Sequence, residues 1–201
     1  MPTTPNPLTL VMQFEITFDY LCPFARNANE AVINGVSSGR DWKVNFRPFS
    51  LSQVHIDDGD PDVFDDTSSS GVLALHWGLA IRDSDPERFP AAHIALFAAR
   101  HDDGADINDE SVIRSALADT GVDLEEIARI VASGSPAKTL AEEHAEAVDR
   151  WRVFGVPTFI MDGVATFIRL MDRGVIEDVD RTLELLHWQG MNEFKRTVIP
   201  R

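Results

Sequence analysis

Apolar and polar residues alternate along three stretches of the chain, and this alternation predicts β-strands. The first stretch is VMQFEITF at 11–18 and the second is WKVNFRPF at 42–49. Pro48 cannot donate a backbone hydrogen bond, so the second strand is expected near an edge of its sheet or near its own end. The third stretch lies within 154–170, where Asp162-Gly163 joins PTFIM to VATFI and favours a type I′ hairpin turn.

Elsewhere the apolar residues recur at helical spacing. After Pro23, the segment FARNANEAVING predicts a helix that ends at Gly35, and a helix between two strands predicts a βαβ unit. The polar segment 51–71 predicts a loop. The segment 72–150 predicts helices that are broken at SDPERFP, HDDGADINDE, TGVD and GSP, with DPER, NDES and GSPAK as helix starts. GVIEDVDRTLELLHW predicts a final amphipathic helix.

The predicted order is therefore β-α-β, then a helical block, then β-β-α. This order indicates an α/β protein with a thioredoxin-like fold, in which an all-helical subdomain is inserted between the βαβ and ββα halves. We predict a loose N-terminal segment at 1–10, a thioredoxin-like domain formed by 11–54 and 151–201, and the inserted helical subdomain at 55–150.

Charge and cysteine content narrow the range of partners. The formal net charge is -15, which argues against nucleic acid and anionic membranes because both attract clustered Lys and Arg. The N-terminal stretch lacks the basic region and the long apolar run of a signal peptide or a membrane span. One cysteine excludes an intramolecular disulfide. We therefore expect a cytoplasmic protein with no nucleic-acid partner and no membrane partner.

The single cysteine, Cys22, lies where the first strand is predicted to turn into the first helix. Unpaired N–H groups and the helix dipole at a helix N-terminus favour thiolate over thiol, with pKa values of roughly 3.5 to 7.5. We therefore expect Cys22 to be a thiolate at neutral pH. Arg26, one turn further on, is expected either to add positive potential or to point to solvent. The alternative is that Cys22 is a small buried hydrophobic residue.

Two local sequences match a known family: Cys22-Pro23 at the strand-to-helix turn, and Gly155-Val156-Pro157-Thr158 before the hairpin. With these motifs the chain resembles the DsbA-like thioredoxin superfamily. It is particularly similar to the cytoplasmic branch that includes mycothiol-dependent oxidoreductases, FrnE-type proteins and 2-hydroxychromene-2-carboxylate isomerases. The resemblance implies that Cys22 is the reactive cysteine, that Val156-Pro157 is a cis peptide bond facing it, and that Thr158 completes this side of the site.

The resemblance also implies which neighbours bind a thiol substrate. Pro23 and Phe24 are expected to do so beside the cysteine, and the backbone of Val156 is expected to pair with an extended substrate. His101 matches family members with a histidine at this place, which implies a wall of the active-site cleft. The alternative for His101 is a helix C-terminal histidine that the helix dipole favours.

The chain departs from the redox-active members of that family at one position. Those members have Cys-Pro-x-Cys, whereas this chain has Cys22-Pro23-Phe24-Ala25. A methyl group replaces the resolving thiol, so a dithiol–disulfide cycle within one subunit is excluded.

Three functions are compatible with one cysteine at this place. The leading hypothesis is a monothiol oxidoreductase or thiol transferase, with a low-molecular-weight thiol such as mycothiol or glutathione as co-substrate. The second resembles kappa-class glutathione transferases and isomerases, where the helix N-terminus activates a bound thiol and Cys22 takes the place of a serine. The third is a thioredoxin-like binding protein without redox chemistry. No metal is expected, because the histidines lack metal-ligand spacing, and a homodimer is left open.

Overall fold

A computed structural model gives the structure of residues 11–57, 59–68, 70–188 and 190. The predicted loose segment at 1–10 lies outside these described residues. The strands are β1 (Met12–Phe18), β2 (Trp42–Pro48), β3 (Thr158–Met161) and β4 (Val164–Phe167). The helices are α1 (Pro23–Ser37), α2 (Leu51–Val54), α3 (Val72–Ser84), α4 (Phe89–His101), α5 (Glu110–Leu117), α6 (Leu124–Ala132), α7 (Ser135–Trp151) and α8 (Ile176–His187).

The four strands form one sheet in the order β2-β1-β3-β4. β1 runs parallel to β2, with Met12 opposite Trp42, and β3 is antiparallel to both β1 and β4. β2 lies at the edge, as Pro48 predicted. Both residues of the Asp162-Gly163 turn have positive φ, at 52° and 81°, as a type I′ turn requires. α1 joins β1 to β2 and α8 follows β4, so the thioredoxin-like fold is confirmed.

Helix α1 continues through Gly35 to Ser37, so the predicted helix end at Gly35 is wrong. Gly35 is buried, and its missing side chain leaves room for the Trp42 ring at the start of β2. A Cβ atom on Gly35 would lie 2.0 Å from Cζ3 of Trp42. The left-handed backbone that glycine favours after a helix belongs instead to Gly39, with φ 88°.

Gly35→Ala is expected to destabilise the protein although alanine is the better helix former. The gain in helix propensity is about 0.5–1 kcal/mol, whereas forcing a methyl group into a packed core costs about 1–3 kcal/mol. We expect a net loss of about 1–2 kcal/mol in the free energy of unfolding, measured by urea denaturation. The exposed neighbour provides the control, since Val36→Ala should change this free energy by less than about 0.5 kcal/mol. Equal stability of Gly35→Ala and wild type would contradict the packing of Trp42 on Gly35.

The polar segment 51–71 was predicted to be a loop, and this prediction is wrong for its first four residues. Its first four residues form α2, because the Oγ of Ser50 accepts a hydrogen bond from the backbone N–H of Gln53 at 3.2 Å and so caps the helix. The described residues from 55 to 71 contain no helix or strand.

The five helices α3 to α7 occupy the segment that was predicted to be helical. NDES and GSPAK are helix starts as predicted, since Asp109 caps α5 and Gly134 precedes α7. DPER is not a helix start: Asp85 caps the end of α3, and α4 begins only at Phe89, with Pro90 in its first turn. DPER therefore belongs to the turn between two helices.

Packing and ion pairs join the helical block to the sheet. One core cluster holds Phe14 and Phe159 of the sheet with residues of α1 and α8. A second cluster holds Phe18 and Ile160 with residues of α3 and α4. Arg47 of β2 is ion-paired with carboxylates of both β1 and α7, so the block is also held to the sheet by charge. Among the described residues, no helix is long and apolar enough to cross a membrane.

Candidate active site

The turn between β1 and α1 places Cys22 at the N-cap of α1. Its extended backbone, with φ -99° and ψ 116°, precedes Pro23 in the first helical turn, where a missing N–H costs nothing. The Cys22 Sγ atom accepts a hydrogen bond from the backbone N–H of Ala25 at 3.4 Å. The thiol therefore takes the capping role that a serine or aspartate oxygen has in other helices.

The loop before β3 forms the opposite side of the site. The Val156–Pro157 peptide bond is cis, and the Cys22 thiol donates a hydrogen bond to the Val156 carbonyl oxygen at 3.4 Å. Thr158 is held from inside the protein: its N–H donates to Oγ1 of Thr17 at 2.8 Å, and its hydroxyl donates to the Gly155 carbonyl at 2.7 Å. The side chain of Thr158 thus helps to fix the loop.

Burial makes Cys22 a thiol at neutral pH, so the expected thiolate is wrong. Only 8% of the residue is exposed, and loss of solvation raises the pKa of Cys22 above its usual value. The N–H groups of Ala25 and Phe24 lower that pKa, but they do not outweigh the burial. The sequence predicts the helix N-terminus, whereas the desolvation depends on how loop and helical block close around the sulfur.

A buried carboxylate lies three residues before the cysteine in the sequence. Asp19 is fully buried, and its two oxygens accept hydrogen bonds from the N–H groups of Leu21, at 2.8 Å, and Leu51, at 2.7 Å. Burial raises the pKa of Asp19 to about 6, although these two hydrogen bonds oppose the shift. When ionised, Asp19 raises the pKa of Cys22 further, because two negative charges would be close together.

A buried polar network supports the first turn of α1 from behind. Asn29 donates from Nδ2 to the Ala25 carbonyl at 2.8 Å, and its Oδ1 lies 3.2 Å from Nε2 of His93. Since Oδ1 can only accept, His93 carries its proton on Nε2 and its Nδ1 accepts from the Tyr20 hydroxyl at 2.8 Å. Burial lowers the pKa of His93 to about 3 and keeps this ring neutral.

Arg26 and His101 both lie near the turn, but their side chains bond to groups other than the Cys22 sulfur. Arg26 is ion-paired with Asp102 at 2.7 Å, so it does not supply the free positive potential that was one of its expected roles. His101 ends α4 and donates from Nε2 to the Tyr20 carbonyl at 2.9 Å. Burial lowers the pKa of His101, so it acts there as a neutral support for the turn.

The cation that acts on Cys22 is Arg169, which no sequence motif connects with the cysteine. Arg169, in the segment after β4, lowers the pKa of Cys22 through its charge. Its guanidinium carbon lies 5.2 Å from the centre of the Phe24 ring and 5.9 Å from that of Phe167. No spacing in the sequence links Arg169 to Cys22, because only the β3–β4 hairpin brings the two together.

In the part of the chain that the structure describes, no three His, Cys, Asp or Glu side chains are grouped so as to hold a metal ion.

The fold and the site together define a thioredoxin-like protein with one cysteine at the N-cap of α1. A family model of the DSBA-like thioredoxin domain matches residues 13–181, so the chain belongs to the DSBA-like thioredoxin family. No curated protein matches the chain in sequence.

Several solved structures share the fold. A 2-hydroxychromene-2-carboxylate isomerase aligns with a TM-score of 0.63 at 17% identity, covering 88% of this chain and 96% of that one. A cytosolic disulfide reductase from Pseudomonas aeruginosa, solved with GSH, gives 0.63 at 17% identity, covering 88% and 99%. A probable DsbA oxidoreductase from Streptomyces coelicolor gives 0.62 at 18% identity, covering 92% and 93%. The neighbours of this fold thus include both an isomerase and thiol-disulfide enzymes.

Proposed function

We propose that the protein is a monothiol thiol transferase or oxidoreductase, in which Cys22 exchanges disulfides with a low-molecular-weight thiol of the glutathione or mycothiol type. The observation that carries this proposal is the position of the Cys22 sulfur, at the N-cap of α1 and 3.4 Å from the Val156 carbonyl oxygen. A reducing cytoplasm, where such thiols are abundant, is the compartment we propose for the reaction.

The proposed reaction uses one protein sulfur in two steps. Cys22 loses its proton to solvent, and its thiolate attacks a low-molecular-weight disulfide; that S–S bond breaks, one thiolate leaves, and a mixed disulfide forms on Cys22. A second thiol molecule, as its thiolate, then attacks the mixed disulfide and releases the Cys22 thiolate with a new small disulfide. The resolving thiol must come from outside, because the methyl group of Ala25 occupies the place of a second cysteine and is fully buried.

The pH dependence of adduct formation tests this proposal. Because the pKa of Cys22 is raised, the thiolate fraction, and with it the reaction rate, should rise about tenfold per pH unit up to that pKa. We expect intact-mass spectra to show one glutathione adduct per chain after exposure to glutathione disulfide, formed faster at pH 8.5 than at pH 7. Mycothiol disulfide is the parallel reagent.

Cys22→Ser is the matched control, since a serine hydroxyl also caps a helix and should preserve the fold. It should form no adduct at either pH. Wild-type protein that iodoacetamide alkylates at Cys22, but that forms no mixed disulfide with either reagent at pH 8.5, would contradict thiol exchange.

One observation favours a second candidate, a transferase or isomerase that uses a bound thiol. At neutral pH the raised pKa keeps Cys22 as an S–H group that donates a hydrogen bond, which is what a serine at this place would do toward the thiolate of a bound cofactor. Turnover of an organic electrophile with reduced glutathione, retained in Cys22→Ser and without any adduct, would favour this candidate. Binding without turnover or adduct would favour the binding protein.

A further inference from the structure

Arg169 lies at the mouth of the site, and no carboxylate of the described residues compensates its charge. Most arginines of the described chain are ion-paired, for example Arg47, Arg82 and Arg173. Arg169 is exposed and has no carboxylate within ion-pair distance among the described residues, in a sequence with 33 Asp and Glu against 18 Lys and Arg. A guanidinium left unpaired in so acidic a chain is available to an external anion.

Aromatic rings hold this guanidinium close to the cysteine. It lies against Phe24, two residues after Cys22, and against Phe167 at the end of β4. The Phe167 ring is in turn 5.1 Å from that of Phe154, which is 67% exposed and lies two residues before Val156. Stacking on ring faces leaves the N–H edges of a guanidinium free, and these edges bind carboxylates in a bidentate way.

We propose that Arg169, with Phe24 and Phe167, forms a recognition subsite for a carboxylate of the small thiol that reacts at Cys22. This inference rests on the proposed function and names its substrate class: an anionic, glutathione-type thiol. Glutathione carries two carboxylates, whereas the sugar and inositol units of mycothiol carry hydroxyl groups in their place. The half-buried Phe24 and Phe167 and the exposed Phe154 contribute an apolar surface for the rest of the ligand, and the cation selects its charge.

Two disulfides of different charge separate recognition from reactivity. Rates of adduct formation are measured with glutathione disulfide and with the uncharged 2-hydroxyethyl disulfide, for wild type and for Arg169→Gln. Loss of Arg169 also raises the pKa of Cys22, which slows both reactions equally, so the ratio of the two rates reports recognition alone. We expect this ratio to fall about tenfold in Arg169→Gln, to be largely restored in Arg169→Lys, and to fall in wild type as salt is added.

Arg100→Gln removes the same charge from α4, at another exposed arginine without an ion pair among the described residues, and should leave the ratio unchanged. An equal slowing of both disulfides in Arg169→Gln would overturn the subsite while leaving thiol exchange at Cys22 intact. Faster reaction of wild type with mycothiol disulfide than with glutathione disulfide would also overturn it. If wild type forms no adduct with any of these disulfides, the proposed function fails and this inference fails with it.

Discussion

Between pH 7 and pH 4.5, the free energy of unfolding of His93→Gln is expected to shift toward greater stability relative to that of the wild type. Burial lowers the pKa of His93 to about 3, so the folded state keeps this ring neutral at pH 4.5, whereas the unfolded chain protonates it near its ordinary pKa of 6.5. Because the unfolded state then binds more protons, the stability from neutral His93 is complete above pH 6.5 and falls as the pH drops. From pH 6.5 to 4.5 the loss is about 3 kcal/mol, at about 1.4 kcal/mol per unit.

Glutamine suits the test because its amide repeats both hydrogen bonds of His93 and does not titrate. Its carbonyl can accept from Tyr20, and its NH₂ can donate to Asn29. The variant loses ring contacts, such as that with Phe18 at 4.5 Å between ring centres, so it should be less stable at pH 7. The decisive quantity is the change in the free energy of unfolding between pH 7 and pH 4.5, from urea denaturation.

An exposed histidine at the end of α8 provides the control for this experiment. His187→Gln removes an exposed imidazole whose Nδ1 lies 3.2 Å from a carboxylate oxygen of Asp162, and such a surface pair should affect stability far less than the buried His93 does. If His93→Gln loses as much stability between pH 7 and pH 4.5 as wild type does, the neutral buried state of His93 is wrong.

Local patterns predicted the parts of the fold that depend on local physics. The strand alternation of 11–18 and 42–49, the Asp162-Gly163 turn and the proline at the edge strand all act over a few residues, and the structure has each of them. Gly35 shows where this reasoning fails. Its sequence context resembles a helix end, but the position requires glycine because the Trp42 ring, from another element, occupies the space of a side chain.

The properties of Cys22 likewise divide into those that the local sequence determines and those that the assembled fold determines. The helix N-terminus and the N-cap position follow from Cys22-Pro23 at a strand end, and they are present. The pKa of Cys22 depends on desolvation, which only the assembled structure determines. The charges that act on it, from Asp19 and Arg169, are likewise set by burial and by the β-hairpin. Sequence spacing offered only Arg26 as a candidate cation, with solvent exposure as its alternative.

Asp19 and His93 are both fully buried, yet they have opposite effects on how stability changes with pH in the acid range. A buried acid with a raised pKa favours the folded state at low pH, whereas a buried base with a lowered pKa favours it at high pH. The windows overlap between about pH 4 and pH 6, given the pKa of about 6 for Asp19 and about 3 for His93. The two slopes therefore partly cancel in wild type, so the contribution of His93 or of Asp19 is measured as the difference between wild type and the variant over the same pH range.

Asp19→Asn is expected to change both stability and the reactivity of Cys22. With a pKa of about 6 in the folded state against 3.8 as its ordinary value, Asp19 contributes stability that is complete below pH 3.8 and is lost as the pH rises through 6. That loss is about 3 kcal/mol over the window. Asparagine resembles the neutral acid and does not titrate, so the free energy of unfolding of the variant relative to wild type should rise by about this much from pH 4 to pH 7. At every pH the variant also lacks one hydrogen bond, because its NH₂ group cannot accept from the N–H of Leu21 or Leu51.

The same substitution removes a negative charge that raises the pKa of Cys22. Alkylation of Cys22 by iodoacetamide at pH 7 should therefore be faster in Asp19→Asn than in wild type, because more of the sulfur is thiolate. Asp119→Asn removes the same charge from an exposed position and should leave both the alkylation rate and the pH dependence of stability unchanged. Slower alkylation in Asp19→Asn would mean that this carboxylate promotes the ionisation of Cys22, as a base for its proton, rather than opposing it by charge.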